Sequence, residues 1–389
     1  MKIYYLDDIP TPYRIGVFKK LSEKLPQEFK VGFCAKAEPG RTWELAIDGF
    51  DHEFLSGFQF RPPFQMNPFS FKVNFSVLKA LRIYKPDVVV MSGYTHPTVF
   101  LVALYCIVKK IPFGVASETN EHCSATNGIR WFIKKLITFP IISKMSFGLP
   151  TGSQSENYFK KLGCKNIPYG HFPNTPDITP IDNMRSKLSN ENERKVIKEK
   201  YGITGEGPII LFVGRLILAK NPMELVNAYA EVMKTINTEA SLVIVGAGDE
   251  EDKIAEFVNN TKNTKLIPWL DNPENVYELM CLADIFVLPS IHEPWGAVIN
   301  EAMAAGCCTV VSDKVGSAYD MIKNDDSGFM YKSGDVNKLI EILTTLIENP
   351  QKRKTMSDRA LESAKHFNQD YARDGLINAV EKISSNVSH

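Results

Sequence analysis

Two glutamates eight residues apart, Glu293 and Glu301, stand either side of Gly296 just after the apolar run ADIFVLPS (283–290). The run reads as a strand over 284–288, and His292 to Trp295 as a loop. The next residues read as a helix whose apolar face is Val298, Ile299, Ala302 and Met303. Helical spacing sets Glu301 about three-quarters of a turn from that face, between the small residues Ala297 and Ala304. A carboxylate framed by small side chains can accept hydrogen bonds from a close-lying diol such as a ribose. Glu293 precedes the helix beside the amides of Trp295, Gly296 and Ala297, where anions and sugar oxygens are favoured. Taken singly, Glu293 reads equally as a helix N-cap acid and Glu301 as an exposed helical glutamate.

A second constellation lies upstream, where PIILFVG ends in Gly214-Arg215-Leu216 and Lys220 follows five residues after the arginine. Glycine at a strand end lets backbone approach a ligand, and a guanidinium fork with an ammonium can neutralise a diphosphate. The same residues also read as two solvated cations at a helix start. Gly246-Ala247-Gly248 follows another strand but lacks the third glycine of a dinucleotide fingerprint, so it reads as a tight turn. The acidic run Asp249 to Asp252 reads as a solvated helix start.

These loops need strands to hold them. Short β-branched runs alternate with helical stretches throughout: KIYYL, KVGFCA, DVVVM and PFGVAS, then PIILFVG, ASLVIVG, ADIFVLP and CTVVS. Strands buried on both faces and separated by helices predict an α/β fold of doubly wound, Rossmann-like parallel sheets. Residues 178–202, polar and without strand signals, read as a linker plus an entering helix, giving domains of 1–175 and 180–370. Open parallel sheets bind ligands beyond the carboxyl ends of their strands, so two such domains are expected to face each other across a cleft.

A chain of 389 residues suits two domains, and 44% apolar with 23% charged residues excludes disordered, collagenous and disulfide-scaffold classes. Lys+Arg and Asp+Glu both number 45, which argues against a nucleic-acid binder. The balance hides an asymmetry, since residues 1–177 hold 22 basic and 14 acidic residues. Seven cysteines without a C-x-x-C motif suit reduced core thiols and a cytoplasmic location, and the N-terminus MKIYYLDDIP reads as a first strand. Between Asp87 and Lys109 no residue carries a formal charge, but turn chemistry at 92–97 divides this stretch into a buried strand and a buried helix over 97–108.

With these residues in hand, the second half resembles the retaining glycosyltransferases of the two-domain GT-B fold, in particular the large family 4 group (glycosyl transferases group 1). Glu293 and Glu301 match its E-x7-E motif. Around them stand G-R-L with Lys220, V-G-A-G at 245–248, E-A-M-A-A-G at 301–306, Gly316 with Asp320, and Ser327-Gly328. The resemblance implies that Glu293 holds donor-sugar hydroxyls and Glu301 the nucleotide ribose. Arg215 and Lys220 would take the diphosphate and stabilise the leaving group. Gly214, Trp295, Gly296, Ala297, Val298 and Trp269 would complete the donor side. It implies a nucleotide-sugar donor as substrate, no cofactor, and catalysis without metal, which fits the absence of D-x-D. Trp295 and Asp320 depart from the commoner residues.

The first half departs further. The loop after the first strand, Asp7 to Arg14, lacks the family's glycine pair, and Tyr13 and Arg14 read either as an acceptor-side aromatic and cation or as a plain helix start. His96 and His122 follow strand ends, and the resemblance implies that one of them lies near the donor sugar; each reads otherwise as an ordinary hydrogen-bonded loop histidine, and Glu118 is a comparable candidate. The aromatic loop 58–72 reads as a sugar platform, a lipid-facing lip or simple packing. Pro173 to Asp177 resembles the hinge, and the end of the chain (371–389) the helix that packs back on the first domain. Residues 129–149 mix Arg130, Lys134, Lys135 and Lys144 with Trp131, Phe132 and Phe139, with Pro140 as a break. They read as a peripheral contact with an anionic membrane or as a buried helix. The expected function is transfer of sugar to a glycan, glycolipid, lipid-linked or small acceptor in bacterial surface polysaccharide or glycolipid assembly, at the inner face of the membrane. A sugar-nucleotide epimerase and a non-catalytic nucleotide-sugar-binding protein remain as alternatives.

Overall fold

Runs rich in Val, Ile and Phe that are buried on both faces become the strands of two parallel sheets. The structure is a computed structural model that describes residues 1–38, 46–60, 70–124 and 128–387. The chain divides into one unit of Met1–Pro176 with Gln369–His389 and a second of Asp177–Asn368.

The first unit runs β1 (Ile3–Asp7), α1 (Pro12–Lys24), β2 (Phe29–Phe33), β3 (Asp51–Phe54), β4 (Phe58–Phe60), β5 (Phe71–Val73), α2 (Ser76–Tyr84), β6 (Val88–Ser92), α3 (Pro97–Lys109), β7 (Phe113–Ser117), α4 (Gly128–Ile142), β8 (Phe147–Pro150) and α5 (Ser153–Leu162). Its parallel sheet has the order β3-β2-β1-β6-β7-β8, and β4 and β5 form a separate antiparallel hairpin. Helices α2, α3, α4 and α5 bury Leu81, Val102, Ile142 and Phe159 in one core on one face. Helix α1 covers the other with Phe18 and Leu21.

The second unit runs α6 (Thr179–Lys187), α7 (Glu191–Tyr201), β9 (Ile209–Val213), α8 (Pro222–Thr235), β10 (Ser241–Val245), α9 (Glu251–Asn260), β11 (Thr264–Ile267), α10 (Pro273–Leu282), β12 (Ile285–Leu288), α11 (Val298–Ala305), β13 (Cys308–Ser312), α12 (Ala318–Met321), β14 (Gly328–Tyr331), α13 (Val336–Glu348) and α14 (Pro350–His366). Its sheet order is β11-β10-β9-β12-β13-β14, again all parallel. The last helix, α15 (Gln369–Val387), belongs to the first unit and buries Ala372, Leu376 and Val380 in the core that α1 also covers.

Each sheet is built outward in one direction and then in the other, so the winding reverses between β1 and β6 and between β9 and β12. Loops that leave two adjacent strands toward opposite faces open a crevice at such a point, which is where ligands bind in doubly wound sheets.

Two expectations about the elements need correction. Residues 178–202, expected as a linker plus an entering helix, hold two helices: besides the entering α7, the supposed linker forms α6, and both belong to the second unit and bury Ile181 and Ile197. Their high charge reflects helices that pack along a single narrow face. Pro140 does not break its helix, since α4 continues to Ile142. The amide that proline lacks would have faced the Leu136 carbonyl on the exposed side, near the helix end.

Candidate functional site

The crevice between β9 and β12 gathers the second unit's chemistry. Gly214, Arg215 and Lys220 lie in the loop that leaves β9, and Glu293 in the loop that leaves the neighbouring β12. The amides of Ile291 (3.0 Å) and His292 (3.2 Å) both donate to the Ala219 carbonyl, stitching the two loops together. Across this seam the Lys220 Nζ donates to a Glu293 carboxylate oxygen. Both side chains are mostly buried, at 18% and 11% exposure, where an ion pair is weakly screened.

Lys220 is therefore engaged with Glu293, a tie that the expected role of Lys220 at a diphosphate did not include. Arg215 is exposed at the same loop. Gly246 and Gly248 turn out to serve close backbone approach: a Cβ on Gly246 would strike the Gly214 carbonyl oxygen, and one on Gly248 the Leu216 carbonyl. The G-x-G segment thus fixes the path of the Arg215 loop, and the Leu216 amide donates to Ala247 (2.9 Å). In the acidic run that follows, Glu250 is buried and its amide donates to Leu216 (2.8 Å), so this residue is not solvated as expected.

The Glu293 loop is held from its other side. Its carbonyl accepts from the Gly316 amide (3.0 Å), and Trp295 accepts from Ser317 (2.9 Å). Trp295 is buried, so it props the loop. Gly296 has φ +88, a conformation that favours glycine, and is buried beside Glu293 and Val315. Ala297, the N-cap residue of α11, and Val298 are half-buried.

Helix α11 is buried on all sides from Ile299 to Ala305, among α6, α10, α14 and β13. Glu301 is 9% exposed and so is no exposed helical glutamate. Its charge is felt by Tyr277 on α10, whose hydroxyl pKa is raised by burial and then by Glu301 and Asp177. Trp269 follows β11 at the sheet edge, three places from β12, and is half exposed.

The first unit carries its own ionic centre at the β1–β6 reversal, and little of it was foreseen. Lys72 is 1% exposed and donates to Glu38 and, at 2.8 Å, to Asp8. Glu38 also accepts from Ser70 (2.8 Å) and Gln59 (3.2 Å). Burial alone would raise the Glu38 carboxyl, but the Lys72 and Ser70 bonds outweigh it and hold the carboxyl below its usual range. His96, the N-cap residue of α3, faces this cluster; burial lowers its pKa against the pull of Asp8 and favours the neutral ring. Asp7 is buried and its pKa raised by burial, with Arg14 opposing. His96 was a candidate from the sequence but its ionic neighbours were not, and Lys72 lay in an aromatic stretch read as a sugar platform, a lipid-facing lip or simple packing.

The other first-unit candidates are dispersed. The Arg14 guanidinium lies 4.2 Å over the Phe172 ring and donates to the Phe172 carbonyl (3.1 Å), so its cation serves the core; Tyr13 beside it is half-buried. Glu118 is exposed and accepts from Asn174 (3.1 Å). The His122 amide donates to Asn120 Oδ1 (3.0 Å), which shapes its turn. Of the aromatic loop, 61–69 lie outside the described residues; Phe60 stacks on Phe71 at 5.7 Å.

With this geometry in place, comparison with known proteins adds the following. Residues 193–363 match the family described as glycosyl transferases group 1. The chain is 26% identical over 191 residues to N-acetyl-alpha-D-glucosaminyl L-malate synthase of Bacillus anthracis, covering 49% of this chain and 49% of that protein. The chain thus spans about half the length of that relative. It is 25% identical over 337 residues to N,N'-diacetylbacillosaminyl-diphospho-undecaprenol alpha-1,3-N-acetylgalactosaminyltransferase of Campylobacter jejuni, covering 83% of this chain and 84% of that one. The crystal structure of Anabaena HepE in complex with UDP is similar over 98% of this chain and 100% of its own, with a TM-score of 0.74 at 17% identity. That likeness gives the fold, GT-B.

Proposed function

Residues 193–363 match the group 1 glycosyltransferases, and from that match we propose that the chain transfers a sugar from a nucleotide-sugar donor to a hydroxyl of a glycan or lipid-linked acceptor. Transfer proceeds with retention at the anomeric carbon and without metal. The observation that carries this reading is the Lys220–Glu293 pair at the β9–β12 reversal, with Arg215 exposed beside it and Glu301 buried two turns further along.

In this reading the donor exchanges partners with the pair. Its diphosphate takes Lys220 and Arg215, and its sugar hydroxyls donate to the released Glu293 carboxylate, while Glu301 accepts from the ribose. The acceptor oxygen bonds to the anomeric carbon as the bond to the diphosphate oxygen breaks, and the acceptor proton passes to the departing diphosphate. Charge that grows on the leaving group meets two cations of one loop, the largely buried Lys220 and the exposed Arg215, and electrostatic stabilisation of this kind is commonly the largest contribution to lowering such barriers.

UDP in the HepE structure supports a nucleoside diphosphate leaving group, and the undecaprenol in the Campylobacter relative's name supports a lipid-linked acceptor. A role in bacterial surface polysaccharide or glycolipid assembly follows, with the protein working at the inner membrane face. The test is incubation with a panel of nucleotide sugars in EDTA, reading nucleoside diphosphate release and the anomeric configuration of the product by NMR. Release with a retained anomer is expected. An inverted product, or release that EDTA abolishes, overturns the proposal.

A further inference from the structure

The first unit carries an apolar face that its own core does not use. On α4, Ile129, Phe132, Ile133, Leu136, Ile137 and Phe139 are all exposed, from 49% to 71%. Their spacing of three and four gathers them in an arc of about 160° along the helix. The opposite side of α4 packs inward through Ile141 and Ile142. Helix α3 repeats the pattern: Val99, Val102 and Cys106 enter the same core, while Leu104, Ile107 and Val108 are exposed. Soluble proteins scatter exposed apolar residues singly, and a contiguous face of this kind marks an interaction surface.

Charge identifies the occupant. Residues 76–145, which include both helices, hold nine Lys/Arg against three Asp/Glu. Lys109 and Lys110 are exposed directly after Val108, and Lys144 is exposed just past α4. Lys134 is turned inward, donating to Ser124 (2.6 Å) and Tyr158 (3.1 Å), and serves the fold. A second copy of the same face would bring like charges together, whereas an anionic lipid surface complements them. Among the described residues no helix is long and apolar enough to cross a membrane, so α4 suits a position within the headgroup plane.

We propose that the outer face of α3 and α4 rests on an anionic bilayer, with the exposed residues of α4 entering the headgroup region and Lys109, Lys110 and Lys144 contacting lipid phosphates. This deepens the lipid-linked-acceptor reading and rests on it for its purpose, while the contact needs neither donor nor turnover.

The test is co-sedimentation of the full chain with vesicles of phosphatidylglycerol and phosphatidylcholine, against phosphatidylcholine alone. Binding to the anionic vesicles that weakens with added salt is expected. The combined variant Phe132→Ser, Ile133→Ser, Leu136→Ser, Ile137→Ser changes only exposed side chains and should weaken binding by more than about tenfold. A second variant, Lys109→Glu with Lys110→Glu and Lys144→Glu, should weaken it by about fivefold or more per lysine. No binding by the unaltered chain, or binding that neither variant weakens, overturns the proposal. So does a dimer in analytical ultracentrifugation without vesicles that the serine variant dissolves. Because vesicle binding is read without nucleotide, failure here leaves the transfer reading intact, and failure of transfer leaves this one intact.

Discussion

Lys220 and Glu293 hold one another, and that pairing separates two effects that any substitution there will mix. Removing one partner of a largely buried pair leaves the other charge uncompensated, at a cost of roughly 3 kcal/mol. Kinetics of Lys220→Ala therefore need a thermal melt beside them; in the folded variant, transfer should slow by about a hundredfold or more, the loss expected of a leaving-group contact. The two glutamates should differ in kind. Glu293→Gln keeps shape but loses a charged acceptor for the reacting sugar and should depress kcat, whereas Glu301→Gln should raise the donor KM, because the ribose does not react. Steady-state kinetics with donor varied separately distinguish the two; an unchanged KM in Glu301→Gln together with full turnover in Glu293→Gln would remove both residues from the site. These glutamates were legible in the sequence because each follows or lies within an easily read strand-loop-helix segment. Their tie to Lys220 was not, because it depends on β9 and β12 being neighbours, which strand order decides.

The first unit's ionic centre makes a residue-scale prediction of its own. Lys72→Met would strand Glu38 and Asp8 and should cost about 3–5 kcal/mol in urea unfolding. The folded Glu38 pKa is depressed, so the unfolded chain binds its proton more readily. Its contribution is full above the ordinary value of 4.5 and drains as pH falls through the folded value. Stability of the unaltered chain should thus fall more steeply below that pH than stability of Lys72→Met. Parallel slopes in urea titrations at descending pH would contradict the assigned charge state.

At the scale of elements, the strands buried on both faces were read from sequence, and the sheet margins were not. β3 is largely exposed, β11 is only partly buried, β8 contains glycine and ends in proline, and β14 opens on glycine. None offers the apolar run or the alternation that marks a strand. For α4 the sequence left a membrane contact and a buried helix both open, since an apolar stripe facing outward has the same spacing as one facing a core. Helix α15 owes its seat to a contact sequence cannot display: Gly375 meets the backbone of Gly170 and His171, and a Cβ there would fall on the His171 carbonyl. Gly375→Val should destabilise the first unit by about 1–3 kcal/mol through overpacking. Hydrogen exchange should show α15 losing protection first; unaltered protection would mean that α15 is held without this contact.

Over the whole molecule, both sheets place an ionic centre at the point where their winding reverses, although the two centres share no residue type pattern. The family's motifs occupy the second unit, and this is why its site was legible: a loop that must hold a defined ligand constrains residue types at fixed spacing. The first unit's centre is assembled from β1, the segment after β2, β5 and the start of α3, so no local spacing announces it. The net balance of 45 basic and 45 acidic residues likewise conceals a basic surface that only its placement on α3 and α4 makes meaningful.

The central claim is that the β9–β12 crevice holds a nucleoside diphosphate through Lys220 and Arg215. Isothermal titration of the full chain with UDP, GDP and ADP in EDTA tests it most directly, because it needs neither the sugar nor the acceptor to be known. The account predicts that at least one of the three binds without metal, that Lys220→Ala and Arg215→Ala each weaken it by about tenfold or more, and that saturating ligand raises the melting temperature. Absence of binding by all three, or binding that both substitutions leave unchanged, would contradict it.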